Sequence, residues 1–377
     1  MLSRLHLDGW RATTAVFVFL ILVAGSAFAA DPTPLFPPLN EVIAKGLGHK
    51  LPRVKIDQDL PPAMVFAVPV PSKDWQRLPP DNATINPIQL AAFAAPQGPA
   101  AGLVEVLATD LRQEVGKADW LKALMRANGF DVMEHRLALS ASGIAFEALG
   151  KKQDPKQGEI LLRAGVWRSG TVLFTVWCSA KRDAFTKLAR DYAVCLAGFK
   201  LADPQPVKQV GNWAKHCIAN VLCYTGPAEK PQERNAPDYK VLEQVFQLKQ
   251  GDQLTGSLQV AVILPPEAER KSPEERLKTL QKYLTVNGPK VEFEARGAKV
   301  RHQNIKGDAY YIHGIGKKGD AQVELYAVAL QNSMFSAMVW AQTVGPKTNL
   351  EAWMHNKRVF QLVSKSLEVK KAGGKKP

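Results

Sequence analysis

Glu159-Ile-Leu-Leu-Arg-Ala-Gly-Val-Trp167, then Thr171-Val-Leu-Phe-Thr-Val-Trp-Cys178, then the run from Asp183 to Phe199 together decide the fold. The first two stretches are apolar, rich in strand-forming residues and too short for helices, so they read as consecutive strands. Past Asp183 the period changes. Phe185, Leu188, Ala189, Tyr192, Leu196 and Phe199 recur at i, i+3, i+4 and i+7, the stripe of an amphipathic helix. Strand, strand and helix in direct succession predict an antiparallel sheet with a helix folded back onto it.

The same pattern returns further along. Strand-like runs at Val291 to Ala295, Val323 to Leu330 and Met334 to Ala341 precede a second closing helix, with Leu350, Trp353, Phe360 and Leu367 as its stripe. Gly143-Ile-Ala-Phe146 matches Gly307-Asp-Ala-Tyr310, Gly150-Lys151-Lys152 matches Gly316-Lys317-Lys318, and Trp177 matches Trp340. The spacing between matched residues widens along the chain, as loop insertions would produce. Two helix starts carry capping boxes, Ser272 with Glu275 and Thr348 with Glu351. The expected architecture is α+β: two tandem α/β sandwich domains, each an antiparallel sheet covered by helices, related by internal duplication. The boundaries are a Pro-rich irregular linker at 30–50, a first unit at 51–202, a linker at 203–211 containing Pro204 and Pro206, a second unit at 212–369, and a Lys-rich disordered tail at 370–377.

This order of elements resembles the PsbP-like and DcrB-like α/β sandwich family. The resemblance is carried by Gly143-Ile-Ala-Phe146, the strand Leu173 to Cys178 and the helix ending Gly198-Phe199, and by Gly307-Asp-Ala-Tyr310, the strand Phe335 to Ala341 and the helix ending Ser366-Leu367. It implies non-catalytic accessory or docking modules.

Residues 1–29 have the layout of a signal peptide. Arg4 and Arg11 precede an apolar run from Ala15 to Gly25, and Ala27-Phe28-Ala29 offers a small-x-small cleavage site. The run is shorter than the roughly 20 residues of a bilayer span, so cleavage is expected over retention as an anchor. The style of this segment points to a bacterial periplasm. The chain carries a formal net charge of +14, which draws an exported protein toward anionic envelope surfaces or acidic partners or simply keeps it soluble. No nucleic-acid recognition motif is present.

Cys178, Cys195, Cys217 and Cys223 are the chain's four cysteines, and an even number in an oxidising compartment suggests disulfides. Strand and returning helix bring Cys178 abreast of Cys195. Cys217 and Cys223 would stand about 20 Å apart on one straight strand, so their bond requires a turn near Ala219-Asn220. His216, Cys217 and Cys223 lack the fourth ligand and the Cys-x-x-Cys spacing of a zinc or redox site. No His-Glu-x-x-His or Gly-x-Ser-x-Gly signature occurs, and Gly314 to Gly319 lacks the Ser or Thr of a phosphate loop. Trp177, Trp340, Trp353 and Phe335 fall at core spacing.

What remains is a pair of basic turns, Lys151-Lys152 and Lys317-Lys318, as candidate contacts to an anion or partner. The expected function is an exported, non-enzymatic accessory protein that docks onto an envelope or membrane-associated complex without metal or cofactor. The alternatives are a periplasmic carrier of a small apolar or anionic ligand and an enzyme of unfamiliar type, which would need carboxylate, histidine and hydroxyl groups gathered in one pocket.

Overall fold

A computed structural model describes residues 34–44, 51–57, 60–79, 87–218, 221–263, 291–331 and 335–369, with scattered positions between 272 and 283. The segment read as a signal peptide, the Lys-rich tail and most of the helix expected after Ser272 lie outside the described residues. In chain order come α1 (Leu39–Ala44), β1 (Arg53–Ile56), β2 (Phe66–Pro69), β3 (Gln76–Arg77), β4 (Ile88–Ala94), β5 (Leu103–Asp110) and α2 (Lys117–Ala127). They are followed by β6 (Asp131–Ser140), β7 (Gly143–Asp154), β8 (Gly158–Ser169), β9 (Val172–Lys181), α3 (Arg182–Gly198) and β10 (Lys200–Leu201). The second half holds β11 (Trp213–Ile218), β12 (Leu222–Pro227), β13 (Gln232–Ala236), β14 (Val241–Gln250), β15 (Gln253–Ile263) and β16 (Phe293–Val300). It ends with β17 (Asp308–Lys318), β18 (Ala321–Gln331), β19 (Ser336–Val344), α4 (Leu350–Ser366) and β20 (Glu368–Val369).

The strands pair antiparallel throughout, and the fold is α+β. One seven-stranded sheet runs β3-β4-β5-β9-β8-β7-β6 and the other β13-β14-β15-β19-β18-β17-β16, the same spatial order. Each half adds a three-stranded sheet, β1-β2-β10 and β11-β12-β20. The strand β8 shows why its sequence is apolar without alternation. Leu161 and Trp167 enter the core shared with α3, whereas Leu162, Ala164 and Val166 enter the core shared with α2, so both faces are buried. Each fully buried side chain of this kind contributes roughly 1.5–3 kcal/mol. Tyr192 pins α3 to β9 by donating from its hydroxyl to the Ser179 carbonyl at 2.8 Å.

Two local expectations are corrected. Residues 34–44 of the Pro-rich lead-in are not irregular: they contain α1, and Phe36 and Leu39 are buried in the first core. The helix α4 is capped by Asn349, whose side chain accepts from the Ala352 amide at 3.0 Å, and not by Thr348. Asn holds the position because its short carboxamide reaches back to the third amide of the helix. Ser272 and Glu275 do form the reciprocal capping pair, with Ser272 N to Glu275 Oε2 at 2.7 Å and Glu275 N to Ser272 Oγ at 3.3 Å.

The helix α4 serves both halves. Val359, Phe360 and Val363 join the core of the second sheet, while Leu350, Trp353 and Met354 pack with Leu111, Val115 and Trp120 of the first half. Among the described residues no helix is long and apolar enough to cross a membrane.

Candidate functional site

Three polar arrangements stand out from the packed cores. The first holds the N-terminal arm, residues 34–44. Glu147 on β7 is fully buried and accepts from Arg136 Nε at 2.6 Å and from Arg163 Nη2 at 2.6 Å. The two guanidinium groups then reach outward to the arm. Arg136 Nη2 donates to the carbonyls of Phe36 at 3.0 Å and Pro37 at 2.9 Å, and Arg163 Nη2 donates to Pro37 at 2.7 Å. The Phe36 ring centroid lies 3.8 Å from Arg136 Cζ and 4.7 Å from Arg163 Cζ. A Pro-rich segment has few amides to donate, and this clamp uses only its carbonyls. The clamp therefore recognises backbone acceptors and one aromatic face.

The second arrangement joins the halves. Glu114, between β5 and α2, is buried at 1% exposure and receives both Arg168 Nη1 at 2.6 Å and Arg168 Nη2 at 2.7 Å. Arg358 of α4 approaches the same carboxylate at 3.3 Å, and the Val210 amide donates to it at 3.0 Å. Residues 203–211 are thus fastened to the first half: Gln205 N donates to Ser169 Oγ at 2.8 Å and Lys208 N to the Gly170 carbonyl at 3.2 Å. Lys357 of α4 adds an ion pair with Asp119 of α2 at 2.8 Å.

The third is a cleft of about 420 Å³ between α4 and the strands β17 and β18. Tyr311, Tyr326, Val328 and Phe360 form its apolar walls, and Arg301, Lys357 and Lys365 stand at its rim with no carboxylate among the lining residues. Tyr326 is fixed from behind. Its hydroxyl donates to Glu324 Oε2, which also receives Trp353 Nε1 at 3.0 Å and faces His313 Nε2 at 3.0 Å. The His313 ring stacks on Tyr326 with centroids 4.7 Å apart. Burial, then the bond to Glu324 and its charge, push the Tyr326 hydroxyl well above its ordinary value, so it stays neutral. His302 is held by three backbone contacts. Its Nδ1 accepts the amides of Asn304 at 3.2 Å and Ile305 at 3.1 Å, and its Nε2 faces the Ser364 carbonyl at 2.7 Å.

The residues singled out from sequence are dispersed. Lys151 and Lys152 lie within β7 and Lys317 and Lys318 within β17, so neither pair is a turn. Lys152 crosses from Ile160, short of the closing pair Asp154 and Gly158, whereas Lys318 with Ala321 is itself the closing pair. The two pairs therefore sit at different distances from their hairpins. Lys152 Nζ sits 5.3 Å from the Phe130 ring centroid and lines one cavity with Trp177 and Glu105; Lys317 lines another with Glu292, Glu294 and Asp320. Cys217 and Cys223 are bonded, facing each other across β11 and β12, with Val221 N closing the turn onto the Ile218 carbonyl. The expected Cys178–Cys195 bridge is replaced by two free buried thiols. Strand and helix do bring them within interaction distance, and burial followed by the Cys178 contact pushes the Cys195 thiol up. His216 turns its Nε2 to the Pro227 carbonyl at 2.7 Å and packs its ring on Phe246. Among the described residues, no group of three or more His, Cys, Asp and Glu side chains is placed to hold a metal. The residues missed from sequence are Glu114, Glu147, Arg163, Tyr311 and Tyr326; Arg163 did carry a signal, a lone charge inside an apolar strand.

No family model matches this α+β chain, and no curated protein matches it in sequence. Among solved structures it is similar to the cyanobacterial PsbP of Synechocystis sp. PCC 6803, at 12% identity over 40% of this chain and 92% of that one, TM-score 0.32. It is also similar to LpqN, involved in cell envelope biogenesis of Mycobacterium tuberculosis, at 16% identity over 43% and 95%, TM-score 0.29. The immunity protein TplEi of the type VI secretion system of Pseudomonas aeruginosa aligns at 12% identity over 81% and 94%, TM-score 0.22. At these values the likeness is one of outline and says nothing about activity.

Proposed function

We propose that this chain is an exported, non-enzymatic docking protein of the cell envelope, built as two duplicated sandwich units that share α4, and cleaved after Ala29. The observation that carries the reading is the cleft whose aromatic walls meet a rim of Arg301, Lys357 and Lys365 with no lining carboxylate. Such a site attracts a group that is apolar in body and negative at one end. The chain's +14 charge favours the same kind of surface at long range. Lys151, Lys152, Lys317 and Lys318 add to this field as dispersed contributors. Duplication is supported by the common strand order and by matching cross-strand pairs: Ala164 faces Trp177 in the first sheet, and Ala327 faces Trp340 in the second.

A second reading, a carrier of a small apolar anion, is favoured by the cleft's volume of about 420 Å³, a size typical of ligand pockets. Co-sedimentation with envelope vesicles from the source cell tests the first. Binding is expected at about 50 mM salt and should fall severalfold at about 500 mM, where charges are screened over a few ångströms. A chain that stays in the supernatant at every salt contradicts docking, and a small retained mass in native mass spectrometry points to the carrier.

A further inference from the structure

Resting on the duplication proposed above, we infer that the cleft of the second half is a docking groove for a short acidic segment of a partner protein, in the place that residues 34–44 of this chain fill in the first half. The correspondence follows from strand register. Ala164 lies between Ala148 on β7 and Trp177 on β9, and Ala327 lies between Ile312 on β17 and Trp340 on β19. Trp177 and Trp340 also make matching edge contacts, with Phe130 and with Tyr283. One residue back from these anchors, Glu147 corresponds to Tyr311 and Arg163 to Tyr326. Across the next pairing, Arg136 corresponds to Ala298.

The polar clamp of the first half is therefore replaced in the second by two tyrosines and an alanine. In the first half the place above the clamp is filled: Phe36 sits on the arginines, and α1 packs between α3 and β6. Among the described residues the second half has no such arm, because the segment that precedes it is bonded to Ser169, Gly170 and Glu114 of the first half. The tyrosines that replaced the clamp accordingly line an open cleft.

What fills the cleft is specified by its walls and rim. Tyr311, Tyr326 and Phe360 suit an aromatic or aliphatic anchor. Lys357 is shared with Asp119, but among the described residues Arg301 and Lys365 form no ion pair with a carboxylate, and both are exposed. A segment bearing one or two carboxylates beside its anchor satisfies both features. The resident arm has this make, with Phe36 and Leu39 buried and Glu41 exposed.

The test uses the mature full chain and a dye-labelled peptide of residues 34–44, read by fluorescence anisotropy. The peptide is expected to bind, to weaken when its Glu41 is changed to Lys, and to lose about tenfold or more in affinity for the Arg301→Glu/Lys365→Glu variant, while the matched charge reversal Lys230→Glu/Lys249→Glu, at exposed positions outside the cleft, leaves its affinity unchanged. Absence of binding, or equal binding by the Arg301→Glu/Lys365→Glu double variant, overturns the inference. An equal loss with Lys230→Glu/Lys249→Glu shows attraction by overall charge and also overturns it. A small mass retained by the wild type and released by the double variant identifies a free anion as the occupant, which overturns it too. The two readings fail separately. Crystallographic halves that do not superpose defeat the duplication whatever the peptide does, whereas superposing halves with an indifferent double variant defeat the docking alone.

Discussion

Glu114→Gln is expected to lower folding stability by about 3–5 kcal/mol, the cost of breaking a buried ion pair from one side. The substitution keeps shape and removes charge. It leaves Arg168, only 5% exposed at its side chain, without the carboxylate that both of its terminal nitrogens address. Total stability of a domain is on the order of 5–15 kcal/mol, so the loss is a large fraction of it. Its location matters as much as its size, because Glu114 ties together the first half, the Val210 amide and Arg358 of α4. Urea denaturation should show the loss, and trypsin should cut after Lys208 much faster in the variant. Unchanged stability and unchanged cleavage would mean that the packing of Leu350, Trp353 and Met354 and the Lys357–Asp119 pair hold the halves without Glu114.

Acid should loosen the same junction. Burial by itself raises the Glu114 carboxyl, but the hydrogen bonds from Arg168 and Val210 and the charges of Arg168 and Arg358 outweigh it and leave the group below its ordinary value. A depressed carboxylate contributes stability that is present above its unfolded pKa and is lost as pH falls through the folded one. His355 on α4, whose Nδ1 meets the Glu114 carbonyl at 3.1 Å, acts in the same direction. Burial holds its imidazole below the ordinary histidine value, so it stays neutral in the folded chain and costs stability once pH drops under about 6.5. The histidine step comes first and the carboxylate step follows at lower pH.

The second large effect is expected at Glu147. Glu147→Ala leaves Arg163 fully buried with only the Pro37 carbonyl as partner, again at a cost of about 3–5 kcal/mol. Arg136 loses the anchor that aims it at Phe36, so hydrogen exchange in residues 34–44 should rise with the loss of stability. The pair is predicted to be replaceable as a unit. Glu147→Leu combined with Arg163→Met restores most of the stability, because a well-packed apolar pair avoids the desolvation of two charges. The arm should stay loose in that double variant, since its carbonyls have lost a donor. If the arm remains protected there, the burial of Phe36 and Leu39 with the Arg136 bonds suffices to hold it.

Much of the fold is legible in the sequence because its physics is local. Runs such as Leu161 to Val166, apolar on both faces but for Arg163, mark strands buried on both sides, and the Phe185 to Phe199 stripe marks a helix with one buried face. The arm is not legible, since Phe36-Pro37-Pro38 carries the composition of a linker and is ordered by partners about a hundred residues away or more, Arg136, Arg163 and the core that takes Phe36 and Leu39. The lysine pairs read as turns because glycine precedes them, yet β7 runs on past Lys152 to Asp154 and β17 includes its pair, ending at Lys318. Cys217 and Cys223 are readable as a pair once a turn is assumed between them. Cys178 and Cys195 come together as expected and remain thiols, so proximity alone does not decide their bonding. Tyr311 and Tyr326 sit at ordinary core spacing, so only the cleft beside them distinguishes them from packing residues.

The most direct test of docking is crosslinking in the source cell with a photoreactive residue placed at Gln361, which lines the cleft, and separately at Gln232 on the exposed edge strand β13. A discrete adduct from position 361, mapping to an acidic stretch of one envelope protein and absent from position 232, is the predicted result. No adduct from position 361, or the same adducts from both positions, would contradict it.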